Sequence, residues 1–217
     1  MAGLLRPAAA LDWQMTSKLM QAALGESTAD KALLRKRVLA ARDGLDDERR
    51  IELSLAAAAH GVQAIAFEPG TIISGFFPIR SEIDARPLMD ALREKGARLC
   101  VPAVVDRQTI EFRELLRGAP LVDTGFGTVG PGPDAKVLTP EIMIMPLAAF
   151  DEHGNRLGYG AGHYDRAIAR IAAKGGAPAL IGLAFDLQQV DAIPAEDHDR
   201  RLHAIITESG YRQFGEA

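Results

Sequence analysis

The sequence contains a single cysteine, few aromatic residues and no excess of positive charge. Cys100 has no second cysteine with which to form an internal disulfide, which suits a reducing compartment, and its apolar neighbours predict a buried side chain rather than a reactive thiol. The formal net charge is −4, so the chain lacks the basic surplus expected of a protein that binds nucleic acid. We therefore expect no nucleic-acid partner.

The sequence also lacks an uninterrupted apolar run of about 18 residues, the length that a membrane-spanning helix needs. The first residues, Met1–Leu11, are apolar but contain Arg6, and they lack the charged segment and long apolar segment of a secretory signal. We therefore expect a cytoplasmic protein without a membrane partner, and we predict a monomer.

The 217 residues suffice for one substantial hydrophobic core, and no linker divides them. Residues 1–28 carry no recognisable chemistry, so we interpret them as an N-terminal extension of unknown role. The remaining residues, 29–217, are predicted to form one domain.

Two amphipathic helices are predicted at the start of this domain. Asp30 can cap the first helix, whose apolar residues recur at helical spacing. This apolar stripe consists of Leu34, Val38, Ala41 and Leu45, and an adjacent basic stripe consists of Lys31, Arg35 and Arg42. The second helix is predicted over residues 46–66. Its inward side is predicted to be Ile51, Leu55, Ala58 and Val62.

Short apolar runs predict five buried strands, at residues 71–77, 98–104, 141–146, 179–185 and 204–207. Helical patterns lie between some of them, at residues 85–94 and 163–173. This alternation indicates an α/β protein, a single three-layer α/β/α domain with a mostly parallel sheet. A more polar segment, 109–115, predicts an edge strand, and the glycine- and proline-rich segment 124–133 predicts a loop.

Residues 142–166 predict a strand, a turn, a glycine loop and a helix, the arrangement in which open α/β sheets bind ligands. Gly158, Gly160 and Gly162 allow a phosphate to approach the backbone, and the N-terminus of the following helix favours negative charge. Arg156 precedes the loop and suits bidentate phosphate contact. Asp165 lies in the first helical turn, where it could hold magnesium.

Each of these features also has an ordinary structural interpretation. Alternating glycines are common in tight turns, and this pattern is neither a P-loop nor a dinucleotide fingerprint. Asp165 could serve only the helix dipole, and Arg156 could merely tie the loop to a nearby carboxylate. An arginine, three glycines and an aspartate within ten residues together favour phosphate binding.

The run RLGYGAGHYDR, residues 156–166, resembles the signature of the 5-formyltetrahydrofolate cyclo-ligase family, also called methenyltetrahydrofolate synthetases. Three further segments resemble the family's motifs in the family's order. They are KALLR at 31–35, GFFPIRSEID at 75–84, and GLAFDLQ at 182–188 followed by IPAEDHD at 193–199. The resemblance covers roughly residues 30–208.

The resemblance implies an enzyme that uses ATP and Mg²⁺ to convert 5-formyltetrahydrofolate to 5,10-methenyltetrahydrofolate, with release of ADP and phosphate. It implies that the formyl oxygen is phosphorylated and that N10 of the folate then attacks the activated carbon. It also implies a fold similar to those of sugar-phosphate isomerases and CoA-transferases.

The resemblance further implies a role for individual residues. Lys31 and Arg156 would be catalytic cations, and Asp165 and Asp199 would hold the Mg²⁺ ion. The residues implied in ATP binding are Lys31, Arg35, Arg156, Leu157, Gly158, Tyr159, Gly160, Ala161, Gly162, His163 and Tyr164. Those implied in folate binding are Phe77, Glu82, Tyr159, Gly160, Ala161, Gly162 and His163.

Two residues depart from the family's common pattern. Ala161 and His163 stand where the family commonly has a glycine and a tyrosine. Because alanine disfavours a positive φ, the loop must hold Ala161 in an ordinary backbone region. His163 keeps a flat ring for stacking and adds a group that can bind a proton. The two changes affect the expected substrate contacts but remove no charged element.

Two other functions stay open. A non-catalytic or RNA-associated relative would be expected to lose the lysine, an arginine or the metal-binding aspartate and to gain a basic extension, whereas this chain retains the charged residues. A sugar-phosphate isomerase or acyl-CoA transferase would need neither ATP nor magnesium, which disagrees with the block at 156–165.

Overall fold

The computed structural model describes residues 30–125, 128–194 and 199–215. In this part of the chain, helix α1 covers residues 30–43. The other helices are α2 (Asp47–Ala64), α3 (Arg86–Glu94) and α4 (His163–Ala172), with a short 3₁₀ helix at Asp186–Gln188. The strands are β1 (Ile72–Ser74), β2 (Arg98–Val104), β3 (Ile110–Glu114), β4 (Leu121–Gly125), β5 (Thr128–Pro131), β6 (Val137–Leu138), β7 (Ile142–Met145), β8 (Ala149–Phe150), β9 (Arg156–Leu157), β10 (Ala179–Leu183), β11 (Ala204–Thr207) and β12 (Gly210–Gln213).

Eight strands form one sheet in the order β12-β11-β10-β7-β1-β2-β3-β6. The central strands β11, β10, β7, β1 and β2 are parallel, whereas β12 on one side and β3 and β6 on the other pair antiparallel. The prediction of an α/β domain with a mostly parallel sheet is therefore confirmed. Its likeness to isomerase and CoA-transferase folds stays a prediction.

Both faces of the sheet are covered by helices. Successive side chains on a strand point to opposite sides, so each strand contributes to both clusters. On β2, Leu99 and Val101 pack in the cluster that includes α2 and α3, whereas Cys100 packs in the cluster that includes α4. Cys100 is fully buried, as predicted, and burial raises the pKa of its thiol to about 12. Burial on two faces explains why the strands appear in the sequence as continuous apolar runs.

Helix α1 belongs to neither of these clusters. Its Val38 packs in a small third cluster with Ala149, Leu157 and Ile193, next to the β8–β9 hairpin. Helix α1 therefore contacts the loops that follow β7 rather than either face of the main sheet. No helix within the described ranges is long and apolar enough to cross a membrane.

The predicted inward side of α2 is only partly correct, because Ala58 is buried and Val62 is half-buried, but the other two predicted residues are exposed. Ile51 and Leu55 are 61% and 53% exposed, and the buried face instead includes Leu53, Ala57 and Gly61. The small residues allow α3 to approach closely, since a Cβ on Gly61 would lie 2.9 Å from the Leu88 side chain. The spacing of bulky apolar residues in the sequence did not predict this buried face, because the packing there depends mainly on small residues.

The apolar stripe of α1 is also partly wrong. Val38 is buried and Leu34 and Leu45 are half-buried, but Ala41 is exposed. Arg42, its neighbour, is instead buried, with 3% of its surface exposed. An arginine can occupy this position because its guanidinium has hydrogen-bond partners on other segments, described below.

Two predictions about local structure need correction. The segment 124–133 is not wholly a loop, because its described residues include the end of β4 and all of β5, which pair antiparallel. The hairpin packs near β2, where a Cβ on Gly130 would lie 3.8 Å from the Val101 side chain. The segment 109–115 does contain a strand, β3, but β3 is not at the edge of the sheet because β6 pairs with its outer side.

The corrected face of α2 can be tested with two leucines on one helix. Leu53→Ala should lower the free energy of unfolding by about 2–5 kcal/mol, because it empties a buried position. Leu55→Ala is the matched control and should change it by no more than about 0.5 kcal/mol, because that side chain is exposed. Urea unfolding followed by circular dichroism measures both changes, and a larger loss for Leu55→Ala would contradict the observed orientation.

Candidate functional site

A pocket with a cavity volume of about 670 Å³ lies where the central strands end. Phe77 comes after β1, Val104 ends β2 and Pro146 follows β7, and all three line the pocket. The volume falls within the range of small-molecule sites, about 300–1,000 Å³. Open α/β sheets bind ligands at this end of the strands, as the sequence predicted for the glycine loop.

The structure brings every predicted site residue to the wall of this one pocket, although they come from four separate segments. They are Lys31, Arg35, Phe77, Glu82, Arg156, Leu157, Gly158, Tyr159, Gly160, Ala161, Gly162, His163, Tyr164, Asp165 and Asp199. Part of the last predicted motif, residues 195–198, lies outside the described residues. The roles assigned to these residues stay predictions.

The glycine loop joins β9 to α4. Gly160 and Gly162 have φ values of 97° and 64°, whereas Ala161 does not have a positive φ, as predicted. Gly162 is the residue that precedes the helix, and a Cβ there would lie 2.7 Å from the guanidinium of Arg166. The free N–H groups of the first turn of α4 follow directly, which is the arrangement that suits an anion.

Helix α4 is also tied to the β2–β3 turn. His163 Nε2 lies 3.1 Å from the carbonyl oxygen of Arg107, and Arg166 Nε donates to the carbonyl of Gln108 at 2.7 Å. Arg166 also donates to the carbonyl of Ala161 at 2.6 Å. His163 therefore contacts the β2–β3 turn, a contact that its predicted role in substrate stacking did not foresee.

A buried carboxylate fixes the turn that precedes Arg156. Asp151 Oδ1 accepts from the backbone N–H groups of His153 and Asn155, both at 3.0 Å, and its Oδ2 accepts from Ile193 N–H at 3.0 Å. The sequence analysis did not identify Asp151, although an aspartate followed by Glu-His-Gly-Asn is typical of an Asx turn. This turn sets the path of β9, and with it the position of Arg156.

The charged residues of the pocket form ion pairs with one another. Arg156 donates to Asp165 and to the carbonyl of Arg200. It therefore does tie the glycine loop to a carboxylate, which is the structural role that the sequence left open. Lys31 Nζ forms an ion pair with Asp199 at 3.0 Å. Arg35 Nε donates to the carbonyl of Gly158 at 2.8 Å, and burial lowers the pKa of Arg35.

The carboxylates of the pocket are compatible with a nucleotide-bound metal. Asp165 and Asp199 both line it. Within the described ranges, no three His, Cys, Asp or Glu residues gather into a metal site. Magnesium in nucleotide sites is usually bound by one or two carboxylates together with substrate phosphates and waters, so two aspartates fit that group. The assignment of Mg²⁺ to them stays a prediction.

Glu82 is a buried carboxylate that also lines the pocket. Its Oε2 accepts from Ile79 N–H at 2.8 Å across a turn in which Arg80 has a φ of 55°. Burial raises the pKa of Glu82, while the Tyr159 hydroxyl, the Ile79 N–H and the charge of Arg42 lower it. The glutamate is therefore held in one orientation by neighbours that favour its ionised form.

The structure adds several details of the pocket to those identified from the sequence. Val129 of the β4–β5 hairpin and Phe76 line the wall. Tyr164 has a buried hydroxyl with no hydrogen-bond partner among the described residues, and burial raises its pKa. Arg42 lies behind the wall and donates to Tyr159 at 2.6 Å. The sequence did contain a signal for Arg42, because it follows Arg35 by seven residues and so shares its side of the helix.

The raised pKa of Glu82 gives a prediction with a definite sign. A carboxyl group whose pKa is higher in the folded state destabilises that state above the raised value and does not do so below the ordinary value of 4.5. Glu82→Gln should therefore raise the melting temperature near neutral pH, and this gain should shrink as the pH falls towards 4.5. Thermal melts across pH measure the effect, with Glu52→Gln as an exposed control that should change little. A gain that grew on acidification would be the opposite result.

Comparison with known proteins bears on this pocket. The 5-formyltetrahydrofolate cyclo-ligase family model matches residues 27–208. The 5-formyltetrahydrofolate cyclo-ligase of Haemophilus influenzae is 26% identical over 186 residues, which cover 83% of this chain and 98% of the relative. That of Escherichia coli K12 is 29% identical over 174 residues, which cover 77% and 94%.

A solved structure agrees with these sequence matches. The NMR structure of 5,10-methenyltetrahydrofolate synthetase from Aquifex aeolicus superposes with a TM-score of 0.72 at 27% identity, covering 86% of this chain and 94% of that one. This chain belongs to the 5-formyltetrahydrofolate cyclo-ligase family, a family of ATP-dependent ligases, as the sequence motifs predicted.

Proposed function

We propose that this chain catalyses the ATP-dependent cyclisation of 5-formyltetrahydrofolate to 5,10-methenyltetrahydrofolate, with ADP and phosphate as the other products. The observation that supports this most directly is the convergence of the predicted residues on a single pocket. One part of the wall carries Lys31, Arg35 and Arg156 beside the glycine loop, and another carries Phe77 and Glu82. A polyphosphate and a flat heterocycle can therefore meet in one cavity.

The cationic part of the wall suits the phosphates of ATP. Lys31 and Arg35 are one helical turn apart, so their charged ends can approach the same polyphosphate. The N-terminus of α4 and the open backbone at Gly158 add N–H donors without obstructing side chains, since a Cβ at Gly158 would meet no atom within 4 Å. Asp165 and Asp199 would hold Mg²⁺, which when bound would neutralise charge on the phosphates.

The proposed chemistry requires alignment rather than a protein nucleophile. The formyl oxygen attacks the γ-phosphorus of ATP and ADP leaves, so that a poor leaving group becomes a phosphate ester. The N10 nitrogen then attacks the formyl carbon, the C–O bond breaks with departure of phosphate, and N10 loses its proton. Phosphoryl transfer of this kind depends on positioning and on neutralising charge, for which Arg156 and Lys31 are suited.

The folate side of the proposal depends on Glu82 and its neighbours. A carboxylate that is already held by Ile79 N–H can accept hydrogen bonds from N–H groups of a pterin-like ring. Phe77 and Tyr159 line the same pocket and offer flat surfaces for that ring. The ring would thereby be placed with its formyl group towards the cationic part of the wall.

Two competing functions receive less support. A non-catalytic or RNA-associated relative would not need the lysine, arginines and aspartates that this chain retains around one pocket. A sugar-phosphate isomerase or acyl-CoA transferase would not need two aspartates beside a phosphate loop. We also propose that the chain acts as a cytoplasmic monomer without nucleic acid, and that residues 29–217 form the catalytic domain.

The direct test is formation of product. Mixing the protein with 5-formyltetrahydrofolate and MgATP should increase the absorbance of the methenyl product, and omission of ATP or chelation of magnesium should abolish the increase. ADP and phosphate should appear in equal amounts with the product. Product formation that is independent of ATP, or ATP hydrolysis without product, would reject the proposed reaction.

Arg156 separates catalysis from structural support. If it stabilises the transferring phosphoryl group, Arg156→Ala should lower kcat by about a hundredfold or more, the effect of losing one preorganised electrostatic donor. Arg156→Lys should restore activity only in part, because lysine keeps the charge but not the planar guanidinium. Steady-state kinetics on the folded fraction, together with a thermal melt, measure both roles.

Arg98→Ala is a matched control for the loss of an ion pair. Arg98 pairs with Glu114 at 2.7 Å, and neither residue lines the pocket. This variant should lower only the melting temperature, not the turnover of folded protein. If Arg156→Ala behaved like Arg98→Ala, then Arg156 would only tie the loop to Asp165.

A further inference from the structure

Arg42 is a buried cation whose hydrogen bonds go to two hydroxyl groups rather than to a carboxylate. Its Nε donates to Ser81 Oγ at 3.0 Å, and its Nη1 donates to Tyr159 Oη at 2.6 Å. Within the described residues it forms no direct ion pair. A buried charge is usually paired with an opposite charge. The next partners of the two hydroxyls therefore matter for how the charge of Arg42 is stabilised.

Each hydroxyl transmits the effect of Arg42 to a carboxylate. A guanidinium has only donors, so both oxygens must accept from Arg42, and each hydroxyl hydrogen is left for another acceptor. Ser81 donates its hydrogen to Asp43. The Tyr159 hydroxyl donates to the carbonyl of Leu147 at 3.4 Å, and it lies near enough to Glu82 to lower the pKa of that carboxyl. One arginine therefore supports an exposed carboxylate and a buried one.

The same contacts fix two parts of the pocket wall relative to each other. Ser81 and Glu82 are adjacent in the turn that contains the positive φ of Arg80, so the bond to Ser81 restrains the segment that carries Glu82. The Arg42 guanidinium also lies 5.7 Å from the centre of the Tyr159 ring, a distance at which cation and ring attract each other. Arg42 thus contacts both the Glu82 turn and the glycine loop.

We propose that Arg42 is a positioning residue that holds the Tyr159 hydroxyl and the turn carrying Glu82 in place for folate recognition. The inference rests on the proposed function, because it assumes that Glu82 accepts hydrogen bonds from the folate ring. Arg42 itself does not line the pocket, so it acts through Tyr159 and Ser81 rather than by contact with substrate. Its effect should therefore fall on the folate and not on ATP.

Kinetics of two substitutions test this selectivity. Arg42→Met, which keeps an unbranched side chain, should raise the apparent KM for folate about tenfold, the scale of one lost charge-assisted hydrogen bond, and leave that for ATP within about twofold. Arg42→Lys should restore part of the affinity, because one ammonium group keeps the charge but cannot replace the guanidinium fork between two hydroxyls. Equal increases in both KM values would overturn the proposal.

The matched control is Arg50→Met on α2. Arg50 is also partly buried and donates to a backbone carbonyl, that of Leu45, at 2.7 Å, but it does not line or support the pocket. This variant should lower the melting temperature without changing either KM value. A folate defect of the same size in Arg50→Met would show that loss of stability, and not positioning, explains the Arg42 result.

The pH dependence provides a readout that a purely structural role would not change. The groups that face Glu82 are Arg42 on α1, Tyr159 on the glycine loop, Tyr164 on α4 and the Ile79 N–H of its own turn. Of these, Arg42 contributes the positive charge, so Arg42→Met should move the acid limb of kcat/KM for folate to higher pH. An unchanged acid limb would contradict the proposal.

A titration that needs no activity separates this proposal from the proposed function. In protein labelled with ¹³C-glutamate, the Glu82 carboxyl signal, assigned by its loss in Glu82→Gln, should titrate at higher pH in Arg42→Met than in the unaltered protein. If the unaltered protein forms no methenyl product but the titration moves as expected, the function fails and the positioning role stands. If product forms and the titration does not move, the positioning role is rejected.

Discussion

The pocket depends on three cations that project from a single helix. Lys31, Arg35 and Arg42 of α1 contact the segment at Asp199, the backbone of the glycine loop and the pair Tyr159–Ser81, respectively. The apolar contacts of α1 are limited to a small cluster around Val38. Since few hydrophobic contacts hold this helix in place, its polar contacts have a large part in determining where it lies, and the helix in turn forms one wall of the pocket.

The sheet and the pocket make opposite demands on the chain. The two large clusters on the faces of the sheet contain fully buried side chains such as Phe185 and Met145, and burial of that kind is the main source of stability. The pocket instead buries Glu82, Arg42 and Arg156, which lose solvation when they leave water. A preorganised polar site of this kind is useful for binding, and the sheet supplies the stability that it lacks.

The sequence predicted those features that chemistry or two-sided burial restricts to a few residue types. The glycine loop was identified because Gly160 and Gly162 need a positive φ, and the central strands because both of their faces are apolar. The motifs also predicted which residues meet at the pocket. In contrast, the polar strand β12, at Gly210–Gln213, has no apolar alternation and was not predicted.

The errors have a common physical origin, which is that tertiary contacts override local pattern. The buried side of α2 is chosen by close packing of Ala57 and Gly61 against α3, and no local rule distinguishes it from the bulkier side. The hairpin at 121–131 was hidden by its glycines and prolines, which are also typical of loops. The burial of Arg42 depends on partners 39 and 117 residues away in the chain.

The internal ion pairs of the pocket have a consequence for selectivity. Arg156 and Lys31 each have an aspartate as counterion, so an anion that arrives alone must compete with carboxylates that already occupy its best partners. A displaced aspartate would then face like charge, which is unfavourable in a partly buried site. A ligand that carries a metal cation with its phosphates avoids this penalty. Its phosphates pair with the arginine and the lysine, and its cation becomes the new counterion of the aspartates. Under the proposed function, the same ion pairs that hold the pocket together would therefore favour a metal-bound polyphosphate over free phosphate.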